Sequence, residues 1–348
     1  MTIDTMRAVR MTVWGEPAQV LRVRVPEPQR AELLIEVRAA GLCRSDLHVM
    51  DAPAGVFDYP LPLTLGHEVA GIVVGAGPDA DSSWIGESVV VHGVWSCGEC
   101  RNCRRGRENY CHALRPGADG LLPAIGSGLG YDGGLADAMI VPSERFVVRT
   151  RGLAPESAAP LADAALTAYH AIRTNRELVD SHSVAVVVGV GGLGHLAVQI
   201  LRALGAGTVF AVDPRADSRA LALRLGADAA FADLARIGES TVADVVFDFV
   251  GSPATMDPAA QLLGPGGRLV AVGSGGGRLT VGKNLGLPNG WQVSAPFWGT
   301  RTDLEAVVDL AHRGQLSVES AAYRLDDALD VYDRLRRGAI TGRAVLVP

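Results

Sequence analysis

The stretch VAVVVGVGGLG, residues 184–194, decides the fold. Val184–Val188 is an apolar, mostly β-branched run, the composition of a strand buried on both faces. Gly189-Val190-Gly191-Gly192-Leu193-Gly194 then reads G-x-G-x-x-G. In residues 195–204, Leu196, Gln199, Ile200 and Ala203 recur on one helical face. A turn at residues 205–207 leads to a second strand, residues 209–212, which ends in Asp213, 19 residues beyond Gly194. A strand, a glycine turn, a helix and a strand ending in an acid form a dinucleotide fingerprint. Gly189 allows the tight turn, and Gly191 lets the backbone approach a pyrophosphate. Gly194 lets the helix sit against the strand, and the helix N-terminus offers N–H groups to phosphates. Asp213 is placed to accept hydrogen bonds from an adenosine ribose. A lone G-x-G-x-x-G often only connects packed elements; here all four parts stand in register.

Outward from this stretch, strands and helices alternate. Strands are expected at 184–188, 208–213, 229–232, 244–249, 268–272 and 291–295, and helices at 193–204, 216–225 and 254–263. This is a doubly wound α/β pattern around a parallel sheet. Upstream, short glycine-broken strands are expected at 7–14, 19–25, 33–39, 69–74, 87–92, 135–141 and 145–148, the pattern of a distorted β-barrel. A helix is expected over 162–172, with Pro160 suited to its first turn. The tail reads as helices near 302–313 and 326–337 and a strand at 344–347. The simplest architecture inserts a nucleotide domain, 159–295, between a β-rich domain, 1–158, and its return, 296–348.

Composition bounds the function. The chain has 348 residues, 48% hydrophobic and 20% charged, enough for two domains with sizeable cores. A net charge of −6 argues against a nucleic-acid or anionic-membrane surface. No run reaches the roughly 20 apolar residues of a membrane helix, and no signal-peptide core opens the chain. A soluble, cytoplasmic protein is expected. Four of the five cysteines lie between residues 97 and 111, which in a reducing compartment points to metal before disulfides.

Cys97, Cys100, Cys103 and Cys111 are spaced C-x2-C-x2-C-x7-C, suited to a structural zinc in a loop within residues 95–112. An iron–sulfur cluster would accept similar ligands, but nothing else in the chain asks for electron transfer. Cys43 stands apart, and His67-Glu68 opens a strand. A catalytic zinc needs three protein ligands and an open position. Asp163 is an acid among apolar residues, PLADAAL; a metal would supply the partner a buried carboxylate needs, or the acid charges a helix start.

With these motifs the chain resembles the zinc-dependent medium-chain alcohol dehydrogenases nearly end to end. The resemblance rests on Gly41-Leu42-Cys43-Arg44-Ser45-Asp46, on Gly66-His67-Glu68 with Gly71 and Gly77, on the four-cysteine lobe, and on Gly189–Gly194 with Asp213. The phrases LPLTLGHE, GRENYC, GVGGLGH, VFDFVG and WGTR are similar to bacterial NAD-dependent secondary alcohol dehydrogenases. The resemblance implies a doubly wound Rossmann sheet inserted in a GroES-like catalytic domain. It implies Cys43, His67 and Asp163 as ligands of a catalytic zinc, with Glu68 adjacent or transient. Ser45 would bond the substrate oxygen and open a proton path through the nicotinamide ribose to His48. Arg44 and Arg343 would contact the pyrophosphate, and Thr167 and Leu193 would hold the nicotinamide. Tyr59, Trp95 and Trp298 are pocket walls or barrel core. Close bacterial relatives often carry His at position 44 and an apolar residue at position 48; here both match the animal-type enzymes.

The implied reaction interconverts a secondary alcohol and a ketone or aldehyde by hydride transfer with NAD(H), in a homodimer or homotetramer, with one structural and one catalytic zinc. Asp213 favours NAD over NADP, with Arg215 and Arg219 close enough to soften the preference. Alternatives are a zinc enzyme acting on polyols or other specialised alcohols, and a non-catalytic zinc- and NAD-binding module. A zinc-free quinone or enoyl reductase would lack both the cysteine lobe and the Cys43/His67 pair.

Overall fold

The computed structural model describes residues 5–238, 241–282 and 286–348. The chain forms two compact units. One comprises Met1–Asp163, Thr300–His312 and Ser320–Pro348; the other comprises Ala164–Gly299 and Arg313–Glu319.

In the second unit, six parallel strands line up in the order Ala229–Phe231, Thr208–Val212, Val184–Val188, Ala243–Asp248, Leu263–Ala271 and Gln292–Ser294. Val186, Val246 and Leu269 are fully buried along the centre of this sheet, each worth roughly 1.5–3 kcal/mol of burial. The helices Gly194–Ala203, Ala216–Arg224 and Pro253–Gln261 fall where the sequence spacing puts them. Gly194 is required by a close approach: a Cβ there would stand 1.8 Å from the Gly189 carbonyl oxygen. Gln199, on the helix Gly194–Ala203, donates to the Ser317 carbonyl at 2.9 Å and accepts from the Ser317 N–H at 2.9 Å, which ties the excursion 313–319 to this unit.

The first unit holds a three-stranded sheet, Gln19–Arg24, Thr5–Met11 and Leu63–Thr64, and a larger one. The larger sheet runs Val147–Arg149, Ser88–Val91, Glu68–Ala76, Leu33–Leu42, Arg343–Val347 and Ser320–Arg324, with Ala138–Val141 also paired to Leu33–Leu42. The tail strand Arg343–Val347 thus returns beside Leu33–Leu42.

Three differences from the sequence reading have physical causes. Residues 162–172 are not one helix. A 3₁₀ turn, Ala159–Ala162, carries Pro160; Asp163 then breaks the helical path at φ −134° and ψ −60°, and the α-helix starts at Ala164. The break frees Asp163 from the helix surface. The first strand, expected at 7–14, ends at Met11 because Gly15 (φ 76°) shapes a turn. The strand Ser320–Arg324 carried no periodic signal because nearly all of it is exposed on a sheet edge.

Candidate metal and dinucleotide sites

Sheet register assembles the first cluster. Gly41 pairs with Glu68 and Leu42 with Ala344, so Cys43, His67-Glu68 and Arg343 arrive at one end of three neighbouring strands. A Cβ on Gly41 would stand 2.0 Å from Glu68 Oε2, so only glycine leaves that carboxylate its place. Asp163 joins from the break after the 3₁₀ turn. Donor atoms of Cys43, His67, Glu68 and Asp163 all lie within 4.8 Å of one another, and all four residues are buried. Cys43 Sγ lies 3.4 Å from Asp163 Oδ2, and His67 Nε2 lies 3.5 Å from the same oxygen.

Behind His67 stands Asp46, which the sequence reading did not single out. Its Oδ1 is 3.0 Å from His67 Nδ1, and its Oδ2 accepts the Cys43 N–H at 3.0 Å, closing a capping box on the helix Arg44–Met50. One carboxylate therefore orients both neighbours. With Nδ1 committed to Asp46, the imidazole turns Nε2 toward the cluster, as metal-ligating histidines do. The signal was faint, because an acid three residues after an N-cap is ordinary helix chemistry.

Electrostatics favours a cation here. Asp46, Glu68 and Asp163 are buried carboxylates, and Arg343 is the buried guanidinium that pairs with Glu68. Burial pushes the Glu68 carboxyl up to about 7; Arg343 opposes the rise and Asp163 adds to it. Burial disfavours a charged His67, but Asp46, Asp163 and Cys43 outweigh it and hold its pKa well above the imidazole range. Converging buried acids leave negative charge that a bound cation would offset. Thiol, imidazole and carboxylate are a zinc donor set. Arg343, expected at a pyrophosphate, is buried and pairs with Glu68 through Nη2.

The cysteine lobe has a different character. Its sulfur separations are 3.5 Å (Cys100–Cys103), 3.5 Å (Cys97–Cys111), 3.9 Å (Cys97–Cys103) and 4.0 Å (Cys100–Cys111). Four thiolates about 2.3 Å from one tetrahedral ion lie about 3.8 Å apart. The cysteines are unbridged, and backbone N–H groups already point at sulfur: Cys97 to Cys111, Cys100 to Cys97 and His112 to Cys100. The His112 and Cys103 N–H groups lower the Cys100 thiol to about 6, while burial raises Cys103 to about 12.

In the glycine turn, Gly189 takes φ 86°. A Cβ on Gly191 would meet only an Arg215 nitrogen, at 3.7 Å, so the turn keeps an open cradle at that position. Gly192 completes the turn, and Leu193 is the N-cap of the helix that begins at Gly194. Asp213 is buried at the end of its strand, and its Oδ2 accepts the Val190 N–H at 2.9 Å.

The remaining expected residues fall as follows. Ser45 Oγ lies 3.7 Å from Cys43 Sγ, beside the cluster. Arg44 and His48 are exposed on the same short helix. Thr167 is buried on the helix Ala164–Arg173. Tyr59 is buried near enough to His67 to feel its charge, and stacks on Phe57 at 4.7 Å. Trp95 instead packs on Tyr131 and Phe146 in the wall of a 730 Å³ cavity whose lining includes none of the cluster. Trp298 is buried, with a left-handed φ of 50°.

Comparison with known proteins agrees with this geometry. Residues 29–151 match the alcohol dehydrogenase GroES-like domain, and residues 192–313 match the zinc-binding dehydrogenase family. An NAD-dependent alcohol dehydrogenase of Sulfolobus acidocaldarius is 32% identical over 98% of this chain and 99% of its own. A D-arabinose 1-dehydrogenase (NADP(+)) of Saccharolobus solfataricus is also 32% identical, over 98% of this chain and 97% of its own. The structure of acetophenone reductase from Geotrichum candidum in complex with NAD superposes with a TM-score of 0.89 at 31% identity, covering 100% of this chain and 98% of that one. The chain belongs to the zinc-dependent medium-chain alcohol dehydrogenase family.

Proposed function

We propose that this chain is an NAD(H)-dependent zinc enzyme that interconverts a secondary alcohol and its ketone. The observation that carries the reading is the buried convergence of a thiol, an imidazole Nε2 and a carboxylate, with Asp46 behind the imidazole. Cys43, His67 and Asp163 would hold the ion, with Glu68, retained by Arg343, beside them. Residues 1–158 with 296–348 carry the catalytic role, and 159–295 the dinucleotide. Bound at this centre, zinc supplies Lewis acidity to a substrate oxygen, and the nicotinamide supplies the hydride acceptor or donor.

The chain's own residues do the rest. Ser45 can accept the substrate hydroxyl proton and donate its own, since a hydroxyl is donor and acceptor at once. His48, exposed three residues further along the same helix, passes the proton to solvent. The open cradle at Gly191 and the helix start at Gly194 are suited to a pyrophosphate. Arg44, exposed at its helix start, and Arg343, which also pairs with Glu68, are the cations proposed for that group. Thr167 and Leu193 are proposed at the nicotinamide. Tyr59 is favoured as a substrate wall by its place near His67; Trp95 and Trp298 stay as proposed walls or core. The thiolate lobe is proposed to hold a structural zinc that completes the fold.

A soluble cytoplasmic homo-oligomer is the proposed working form. The family resemblance motivates it; the cysteines are unbridged, and no helix among the described residues is long and apolar enough to cross a membrane. The test is NADH formation from a panel of secondary alcohols, primary alcohols and polyols. The proposal expects the highest kcat/KM on secondary alcohols; turnover confined to polyols would replace the substrate class, and no turnover with any would remove the enzyme reading.

A further inference from the structure

Asp213 is expected to read the adenosine ribose, yet here it has nothing left to read with. Its Oδ2 accepts the Val190 N–H at 2.9 Å and Arg215 Nη2 at 3.1 Å. Its Oδ1 accepts the Arg215 N–H at 2.9 Å and Arg215 Nε at 3.1 Å. A carboxylate offers about four acceptor positions, so all are spent. The side chain of Asp213 is 4% exposed and that of Arg215 is 41% exposed. The acid is the buried half of the pair, and the guanidinium is the half that faces solvent. The same Nη2 is the nearest atom to the open position at Gly191, so Arg215 spans from the acid to the glycine turn. A second cation backs the pair: Arg219 Nη1 donates to the carbonyls of Asp213 at 2.9 Å and Pro214 at 2.7 Å.

We infer that Arg215 sets the cofactor specificity of this chain: by masking Asp213 it makes the dinucleotide site accept a ribose 2′-phosphate as well as a 2′-hydroxyl. The inference rests on the dehydrogenase reading above. An unmasked acid discriminates in two ways, by bonding a 2′-hydroxyl and by repelling a 2′-phosphate. Here the bidentate guanidinium offsets the repelling charge. A 2′-hydroxyl is read only after Arg215 swings away, so part of the gain for NAD is spent on breaking two charge-assisted hydrogen bonds. A 2′-phosphate, carrying close to two negative charges, meets two guanidiniums against one carboxylate. Arg219 bonds main-chain carbonyls, whereas Arg215 bonds the acid itself, so Arg215 is the one a ribose on Asp213 displaces.

The test is direct binding of NADH and NADPH to the zinc-loaded, full-length protein, read by nucleotide fluorescence without turnover. The wild type is expected to bind the two within about tenfold of each other. Arg215→Ala should weaken NADPH by about tenfold, the size of one charge-assisted hydrogen bond, and tighten NADH, because Asp213 is then unmasked. Asp213→Asn, which removes the acid and releases the guanidinium, should move the preference to NADPH. Wild-type binding of NADPH more than about a hundredfold weaker than NADH would overturn the inference. Equal weakening of both by Arg215→Ala would overturn it too, by placing the guanidinium on a part the two share. Loss of binding to both nucleotides in the wild type would instead remove the dehydrogenase reading, and this inference with it.

Discussion

Asp46 carries two bonds that no neighbour can replace, one to the Cys43 N–H and one to His67 Nδ1. Asp46→Ala should therefore leave the four donors in the chain but lower zinc affinity at the buried centre by about 10–100-fold, as removal of an outer partner does. Metal competition titration measures it; unchanged affinity would show that the imidazole needs no second carboxylate. Asp163→Ala should lose the ion more completely while NADH still binds. His48→Gln should slow alcohol oxidation most at neutral pH and recover at high pH or with small exogenous bases, whereas Ser45→Ala should be more damaging at every pH. An unchanged pH–rate profile in His48→Gln, with hydride transfer limiting, would leave Ser45 without this relay. At this scale the residues that converge in the cluster were legible because Cys, His and a lone apolar-flanked Asp are conspicuous types. Asp46 and the Arg343–Glu68 pair were not. Their roles come from strand register and a helix cap, which bring together residues 21 and 275 positions apart in sequence.

Among the elements, the helix Gly194–Ala203 and its two flanking strands hold the dinucleotide turn in shape. Gly194→Ala would press a methyl into the Gly189 carbonyl and should cost about 1–3 kcal/mol or more, with NADH binding lost alongside stability. A thermal melt with and without NADH checks it; a wild-type melt and wild-type NADH affinity would contradict the close approach. The far end of the helix has its own staple. Arg202 donates to the carbonyls of Gly226, Ala206 and Gly207 and pairs with Asp228, whose Oδ2 also accepts the Val209 N–H. Burial works against ionised Asp228, but the Val209 N–H and Arg202 outweigh it, and its pKa lies below the ordinary carboxylate value. A depressed folded-state pKa contributes stability above the unfolded value of about 3.9, and the contribution disappears as pH falls through the folded value. Asp228→Asn should thus lower Tm at pH 6 and converge with the wild type in strong acid; a gap that persists there would mean the carboxylate's charge is irrelevant. The parallel strands were legible because burial on both faces makes them continuous apolar runs. The edge strand Ser320–Arg324 was not, since an exposed strand needs no pattern.

In the whole molecule, the proposed function gives two side-chain clusters different roles. On the proposed reading, the four thiolates with N–H donors at their sulfurs would form a closed set, and Cys43, His67 and Asp163 a three-ligand set that would exchange its ion more readily. A mild chelator should remove activity while the fold persists, and added zinc should restore it; Cys100→Ser should instead lower solubility and Tm. Simultaneous loss of activity and fold would merge the two centres into one structural role. The order of domains was legible from where short glycine-broken strands give way to strand–helix alternation. The chain's second visit to the nucleotide unit at Arg313–Glu319 was not, because Gln199 and Ser317 meet only once the fold has formed. The most direct test of the central claim compares wild type with Cys43→Ser for zinc content, NADH binding and NADH formation from a secondary alcohol. The wild type should hold a zinc at each centre and turn over; Cys43→Ser should keep the lobe's zinc, the fold and NADH binding, and lose both the second zinc and turnover. Wild-type turnover in Cys43→Ser would contradict the account.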